Sequence, residues 1–169
     1  MTPAELLTDA FERVLQTATA AVDGLTDEQL SSRPERDANS IAWLVWHLAR
    51  VQDDHVADVA GTEQVWTGQD FVALFDLPFD TGATGYGMNS EEVGHVRVGA
   101  EPLADYLRAV HEATVSYLAS VTPEELDRVV DERWDPPVTL GVRLVSVVSD
   151  DLQHAGQAAY LRGLVTSGS

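Results

Sequence analysis

Asp150 and His154 stand four residues apart in Ser149-Asp150-Asp151-Leu152-Gln153-His154. On a helix that spacing puts a carboxylate and an imidazole one turn apart on one face, where both can aim at a common point. Val147, Gln157 and Leu161 continue the face, and its apolar ends turn it toward a protein interior. His47 sits in the apolar stretch Ala42-Trp43-Leu44-Val45-Trp46-His47-Leu48-Ala49-Arg50, sharing a helical face with Leu44, Val51 and Asp54. Burying an aspartate and two histidines is costly without compensation. A divalent cation would supply it: two neutral imidazoles and a carboxylate suit zinc, nickel, iron or manganese, with positions left for water or substrate. The plainer reading is an Asp150–His154 pair on a solvated helix face, with His47 an ordinary core histidine, and spacing alone favours it.

Other groups could support such a site. Gln157, a turn beyond His154, can bond a ligand or merely join two helices. Asp54 can stand behind His47 or be an exposed helix acid. Tyr86, in the glycine-rich Thr84-Gly85-Tyr86-Gly87, can cover a pocket or anchor its loop. His55, His95 and His111 read as surface or boundary histidines, and Trp43 and Trp46 as core or dimer-packing residues.

Helices must position these residues. Thr2-Pro3-Ala4-Glu5, Thr26-Asp27-Glu28-Gln29 and Thr122-Pro123-Glu124-Glu125 each place a hydroxyl three residues before Glu or Gln, the pattern of a reciprocal helix cap. The first opens a helix up to Gly24; the second opens a short one that fails near Arg33-Pro34. Apolar spacing predicts a long helix from Asn39 or Ser40 to about Ala60, closed by Gly61. Another begins near Glu101-Pro102. After the Thr122 piece, a last helix is expected from about Thr139 to Arg162, closed by Gly163. Residues 61–99 make a connection far longer than an ordinary helix-to-helix loop, able to cross a bundle. Little reads as strand, although Val93 to Val98 could pair briefly. The order long, short, long then recurs after the connection, a weak structural repeat.

The 169 residues suit one all-α domain, 1–169, and 44% hydrophobic residues suit a globular core. No run of about 20 apolar residues is present to span a membrane, and the first ten residues lack a signal-peptide layout, so a soluble, cytoplasmic protein is expected. The formal charge of −18 disfavours nucleic acid as a partner. All ten basic residues are arginine, a usage that hints at a high-GC or salt-adapted source. With no cysteine, any thiol chemistry needs a thiol from outside the chain.

Two segments carry a resemblance. Asp150-Asp151-Leu152-Gln153-His154-Ala155-Gly156-Gln157, running on to Tyr160-Leu161-Arg162-Gly163, resembles the last-helix motif of the DinB/YfiT-like superfamily, and Trp46-His47-Leu48-Ala49-Arg50 resembles its early-helix motif. Thr84-Gly85-Tyr86-Gly87 and Trp134-Asp135-Pro136-Pro137 are similar to an actinobacterial branch of it. The resemblance implies a four-helix bundle of up-down-down-up topology with the long connection between helices 2 and 3, and a metal held by His47, Asp150 and His154. Many relatives carry three histidines; a carboxylate at position 150 points to the branch related to the N-terminal domain of mycothiol-dependent maleylpyruvate isomerase. Likeness to that branch implies a metal that lowers the pKa of a small thiol such as mycothiol, for an S-transferase or isomerase acting on a small molecule. That isomerase has a further C-terminal domain, so a reaction other than maleylpyruvate isomerisation is expected. A non-catalytic metal- or small-ligand-binding protein of a stress response is the alternative, and a homodimer is expected in either case.

Overall fold

The computed structural model describes residues 1–167; the last two positions of the expected 1–169 unit lie outside the described residues. Four long helices dominate: α1 (Pro3–Val22), α3 (Ile41–Ala60), α7 (Ala100–Leu118) and α8 (Leu140–Ser167). Short helices α2 (Asp27–Ser31), α4 (Val65–Gly68), α5 (Phe71–Phe75) and α6 (Ser90–Gly94) fill the connections. The caps on α1 and α2 form as their sequences predict: Thr2 and Thr26 accept from Glu5 and Gln29 backbone N–H groups, and those side chains reach back. Ser40 caps α3 by accepting from Trp43 N–H, and Gly61 ends it at φ +67°, a conformation that glycine adopts without steric cost.

α8 packs against α3 and α1, and α7 packs against the same two. Residue pairs give the directions. His47 and His55 of α3 meet His154 and Arg143 of α8, so these two helices run antiparallel. Arg162 bonds the Ala21 and Asp23 carbonyls, so α1 runs parallel to α8. Gln52 and Arg50 bond Thr114 and Tyr106, and Glu12 meets His111. This arrangement is up, down, down, up. Its interior is filled by Val14, Leu30, Ile41, Leu44, Leu103 and Leu107 at one end and by Phe11, Leu118, Leu140 and Leu144 at the other.

Three details depart from the sequence-based expectation. Val93 to Val98 do not pair: Val93 is buried within α6, and Val96 and Val98 are buried without strand structure. Pairing occurs instead in a hairpin, β1 (Val129–Asp131) and β2 (Val138–Thr139), just before α8. The Thr122 piece is a single 3-10 turn, Glu124–Asp127. Gly163 does not close α8, which continues to Ser167, because tertiary packing of Leu161 and Val165 outweighs glycine's poor helix propensity.

The long connection is pinned to α3 by buried charge. Both Asp53 carboxylate oxygens accept backbone N–H groups at the start of α4, Val65 at 2.9 Å and Trp66 at 2.8 Å, and one also accepts the Tyr106 hydroxyl. Arg50, wholly buried, donates to the Ala83 carbonyl, to Gln64 and to Tyr106, and its guanidinium lies 5.1 Å from the Trp66 ring centre. One turn of α3 thereby fixes where residues 83–85 return.

Candidate metal centre

His47, Asp150 and His154 converge between α3 and α8, one donor atom from each lying within 4.8 Å of the others. Asp150 Oδ2 is 3.9 Å from His47 Nε2, and Oδ1 is 3.6 Å from His154 Nε2. Both separations are too long for hydrogen bonds. The three groups face one another without satisfying one another, and Asp150 Oδ2 is buried with no partner.

Each imidazole is oriented from behind. His47 Nδ1–H donates to the Thr84 carbonyl at 2.5 Å, and His154 Nδ1–H donates to Gln157 Oε1 at 2.9 Å. An Nδ1 engaged by an oxygen acceptor leaves Nε2 as the lone-pair nitrogen of a neutral ring, and both Nε2 atoms point toward Asp150. Burial holds the His47 pKa below the ordinary histidine value; Thr84 and Asp150 oppose that shift and the neighbouring His154 adds to it. The neutral form, the one able to offer Nε2 to a cation, is favoured. Trp43 stacks on His47 at 4.6 Å and meets His154 edge-on, closing one side of the site.

The loop seats itself on His47 through backbone. Gly85 has φ +97°, and a Cβ there would come within 2.6 Å of His47 Nδ1 and 3.1 Å of both tryptophan rings. Only glycine permits this approach.

The other expected residues separate clearly. Gln157 is at the site, bonded to His154. Asp54 accepts from Gln64 at 2.8 Å, while the His47 ring nitrogen behind the site is held by Thr84. Tyr86 is 94% exposed; its loop covers the site with the Thr84 and Gly85 backbone rather than with the phenol ring. Trp43 and Trp46 are both buried, which excludes them as an exposed dimer surface. His55 is half-buried and accepts from Arg143, which also meets Asp131; His55, Arg143, Asp54 and Asp58 line a cavity of about 370 Å³. Burial and the adjacent Arg143 lower the His55 pKa.

Sequence reasoning missed three features. Thr84 acts through its carbonyl, which every residue type possesses, so only the glycine beside it was a signal. The Arg50–Asp53–Tyr106 network joins positions more than fifty residues apart. Asp151 is fully buried with neither oxygen partnered, and burial, aided by Asp150, pushes its carboxyl well above the usual range.

Comparison with known proteins bears on this geometry. The sequence profile of the DinB superfamily matches residues 10–158, a span that contains all three converging residues. The crystal structure of a conserved protein from Enterococcus faecalis is similar to this chain, with 32% identity, a TM-score of 0.92, and 99% of each chain covered. Among curated proteins, nothing matches.

Proposed function

The chain belongs to the DinB superfamily, and from that premise we propose that it is a divalent-metal-dependent enzyme that uses a small thiol, of the mycothiol type, as an S-transferase or isomerase. The observation that carries the metal reading is the buried, unpartnered Asp150 Oδ2 set against two imidazoles whose Nδ1 atoms are already occupied. Two nitrogens and a carboxylate oxygen are a donor set that zinc, nickel, iron or manganese accepts, and His47, Asp150 and His154 would hold the ion. A divalent cation there would lower the pKa of a thiol brought beside it.

The chain's own residues define the rest. Thr84 and Gln157 keep the two Nε2 atoms aimed at the site. Trp43 and the Gly85 backbone exclude water from the His47 side, which strengthens the electrostatics within. No cysteine competes for the ion or the electrophile, in keeping with a thiol supplied as cosubstrate. A carboxylate in place of a third histidine supports the thiol-using branch. A cytoplasmic setting, where small thiols are kept reduced, fits this chemistry.

The test is thiol consumption. Metal-loaded protein, given mycothiol or a mimic and a small electrophile, should form the S-conjugate, and His154→Ala should lose that activity while remaining a folded bundle. Metal binding with no conjugate for any thiol would replace the enzyme with a metal-binding protein.

A further inference from the structure

The metal centre stands at one end of a longer groove between α3 and α8. His47, Val51, Asp54 and Asp58 recur at four, three and four residues on α3. Arg143, Ser146, Asp150 and His154 recur at three, four and four on α8, so each set shares one helix face. The antiparallel helices bring the two faces together at both ends: Asp150 lies 3.9 Å from His47, and Arg143 lies 4.0 Å from Asp58. His47 to Asp54 and Asp150 to Arg143 each span seven residues, about 10 Å along the helix axis. Between the ends Val51 is half-buried and Ser146 exposed, so the intervening stretch is open to solvent. The other side of the centre is shut by Trp43 and the Gly85 backbone. A molecule bound at the metal centre therefore extends toward Asp54 and Arg143.

The far end of the groove is the cavity of about 370 Å³. Two acids, Asp54 and Asp58, and two arginines, Arg133 and Arg143, line it together with His55 and Gln64. Its charges balance, and Ala57 is the one apolar side chain among the lining residues. An anion there would compete with Asp131, which already accepts from both arginines. A cation that meets Asp58 also meets Arg143, 4.0 Å away. A hydroxyl suits both signs, because it donates to a carboxylate while accepting from a guanidinium. Further groups are fixed in place for it. Arg143 donates to His55 Nδ1, which leaves the hydrogen on Nε2 as a donor, and Gln64 holds the Asp54 carboxylate.

We infer that this cavity binds the uncharged, hydroxyl-rich end of the thiol whose sulfur sits at the metal centre, a thiol that carries a sugar or polyol rather than free carboxylates. The inference rests on the metal and thiol reading above and adds the residues that select the thiol: Asp54, Asp58, Arg133 and Arg143. Selection works by exclusion as well as by attraction. A thiol ending in a carboxylate sets that charge against Asp54 and Asp58, with both arginines already engaged by Asp131. A short alkyl thiol leaves the four charged groups to water and gains nothing from them. The length of groove between the two ends sets the reach, about 10 Å from the sulfur to the hydroxyls.

Titration calorimetry of zinc-loaded protein tests this with three thiols: 2-mercaptoethyl β-glucoside, the matching glucuronide, whose sugar carries a carboxylate, and 2-mercaptoethanol, which has no sugar. The glucoside should bind at least about tenfold tighter than either of the others, as two or more added hydrogen bonds would give. Asp58→Asn, at a position 69% exposed, should narrow the gap between glucoside and glucuronide by about threefold or more, because one repelling carboxylate is gone. A glucoside no tighter than 2-mercaptoethanol, or a glucuronide that binds wild type best, would overturn the inference while leaving a metal-bound thiol in place. Failure of every thiol to bind would instead overturn the reading on which the inference rests, and the cavity is then judged by the sugar alone. Methyl β-glucoside at millimolar concentration, added to zinc-free protein, should shift the NMR signals of the Gln64 side-chain amide and the His55 ring. Signals that stay fixed would remove the cavity as a site for hydroxylated ligands.

Discussion

At the scale of single residues, the site depends on groups that fix rather than bind. Gly85 is the sharpest case, because a methyl group there must displace His47, whose Nδ1 lies 2.6 Å from the added carbon. Gly85→Ala should weaken metal binding by at least about tenfold and lower stability by about 1–3 kcal/mol, through left-handed strain and crowding. Calorimetric metal titration and urea unfolding check the two effects; unchanged affinity would mean that the Thr84–Gly85 backbone does not set the His47 geometry. Gln157 acts from the opposite side. It is exposed, so Gln157→Leu should leave the fold intact while reducing metal affinity about 10–100-fold, as loss of a ligand's hydrogen-bond partner does. Affinity within about twofold of wild type would remove Gln157 from the site.

At the scale of elements, α3 and α8 carry the three candidate ligands and two devices hold them in register. The Arg50–Asp53 network returns residues 83–85 to His47, and the β1–β2 hairpin clamps the start of α8. Within the hairpin, Asp131 accepts from Arg133 side chain and backbone and from Arg143 of α8. Those bonds, Arg133 first, hold its carboxyl well below the usual carboxylate range. A carboxyl so depressed stabilises the fold above its unfolded pKa, and the contribution fades as pH falls below the ordinary value of 3.8 toward the folded value. Asp131→Asn should therefore lower the urea midpoint at pH 7, with the gap to wild type narrowing in acid below about pH 4. A gap equal at both pH values would show that the carboxylate charge contributes nothing. Elements were also the scale most legible beforehand. Thr2, Thr26 and Ser40 mark helix starts because cap chemistry is local, and Asp150 and His154 share a face because helical period is local. The hairpin was not legible: its two strands are short, and Val129 and Val138 lack any alternating run. Gly163 misled for a related reason, since its local preference for ending a helix gives way to packing beyond it.

At the scale of the whole molecule, the cluster of His47, Asp150 and His154 joins α3 to α8 across distant segments of chain. Periodicity placed Asp150 with His154, but only a family resemblance brought His47 to them; no local rule reports which helices become neighbours. The same gap concealed Thr84, Arg50 and Asp151, whose roles exist only once distant segments meet. A cation bound between the two helices must stabilise the whole fold, because the unfolded chain offers no such cluster. The most direct measurement is element-specific metal analysis of the purified protein and of His47→Ala, each prepared without added metal and unfolded by heat. A metal centre of this kind should give about one divalent ion per wild-type chain, little or none in His47→Ala, and a lower thermal midpoint for wild type once the ion is chelated. A metal-free wild type that gains neither ion nor stability when divalent metals are added, and that His47→Ala leaves unchanged, would contradict it.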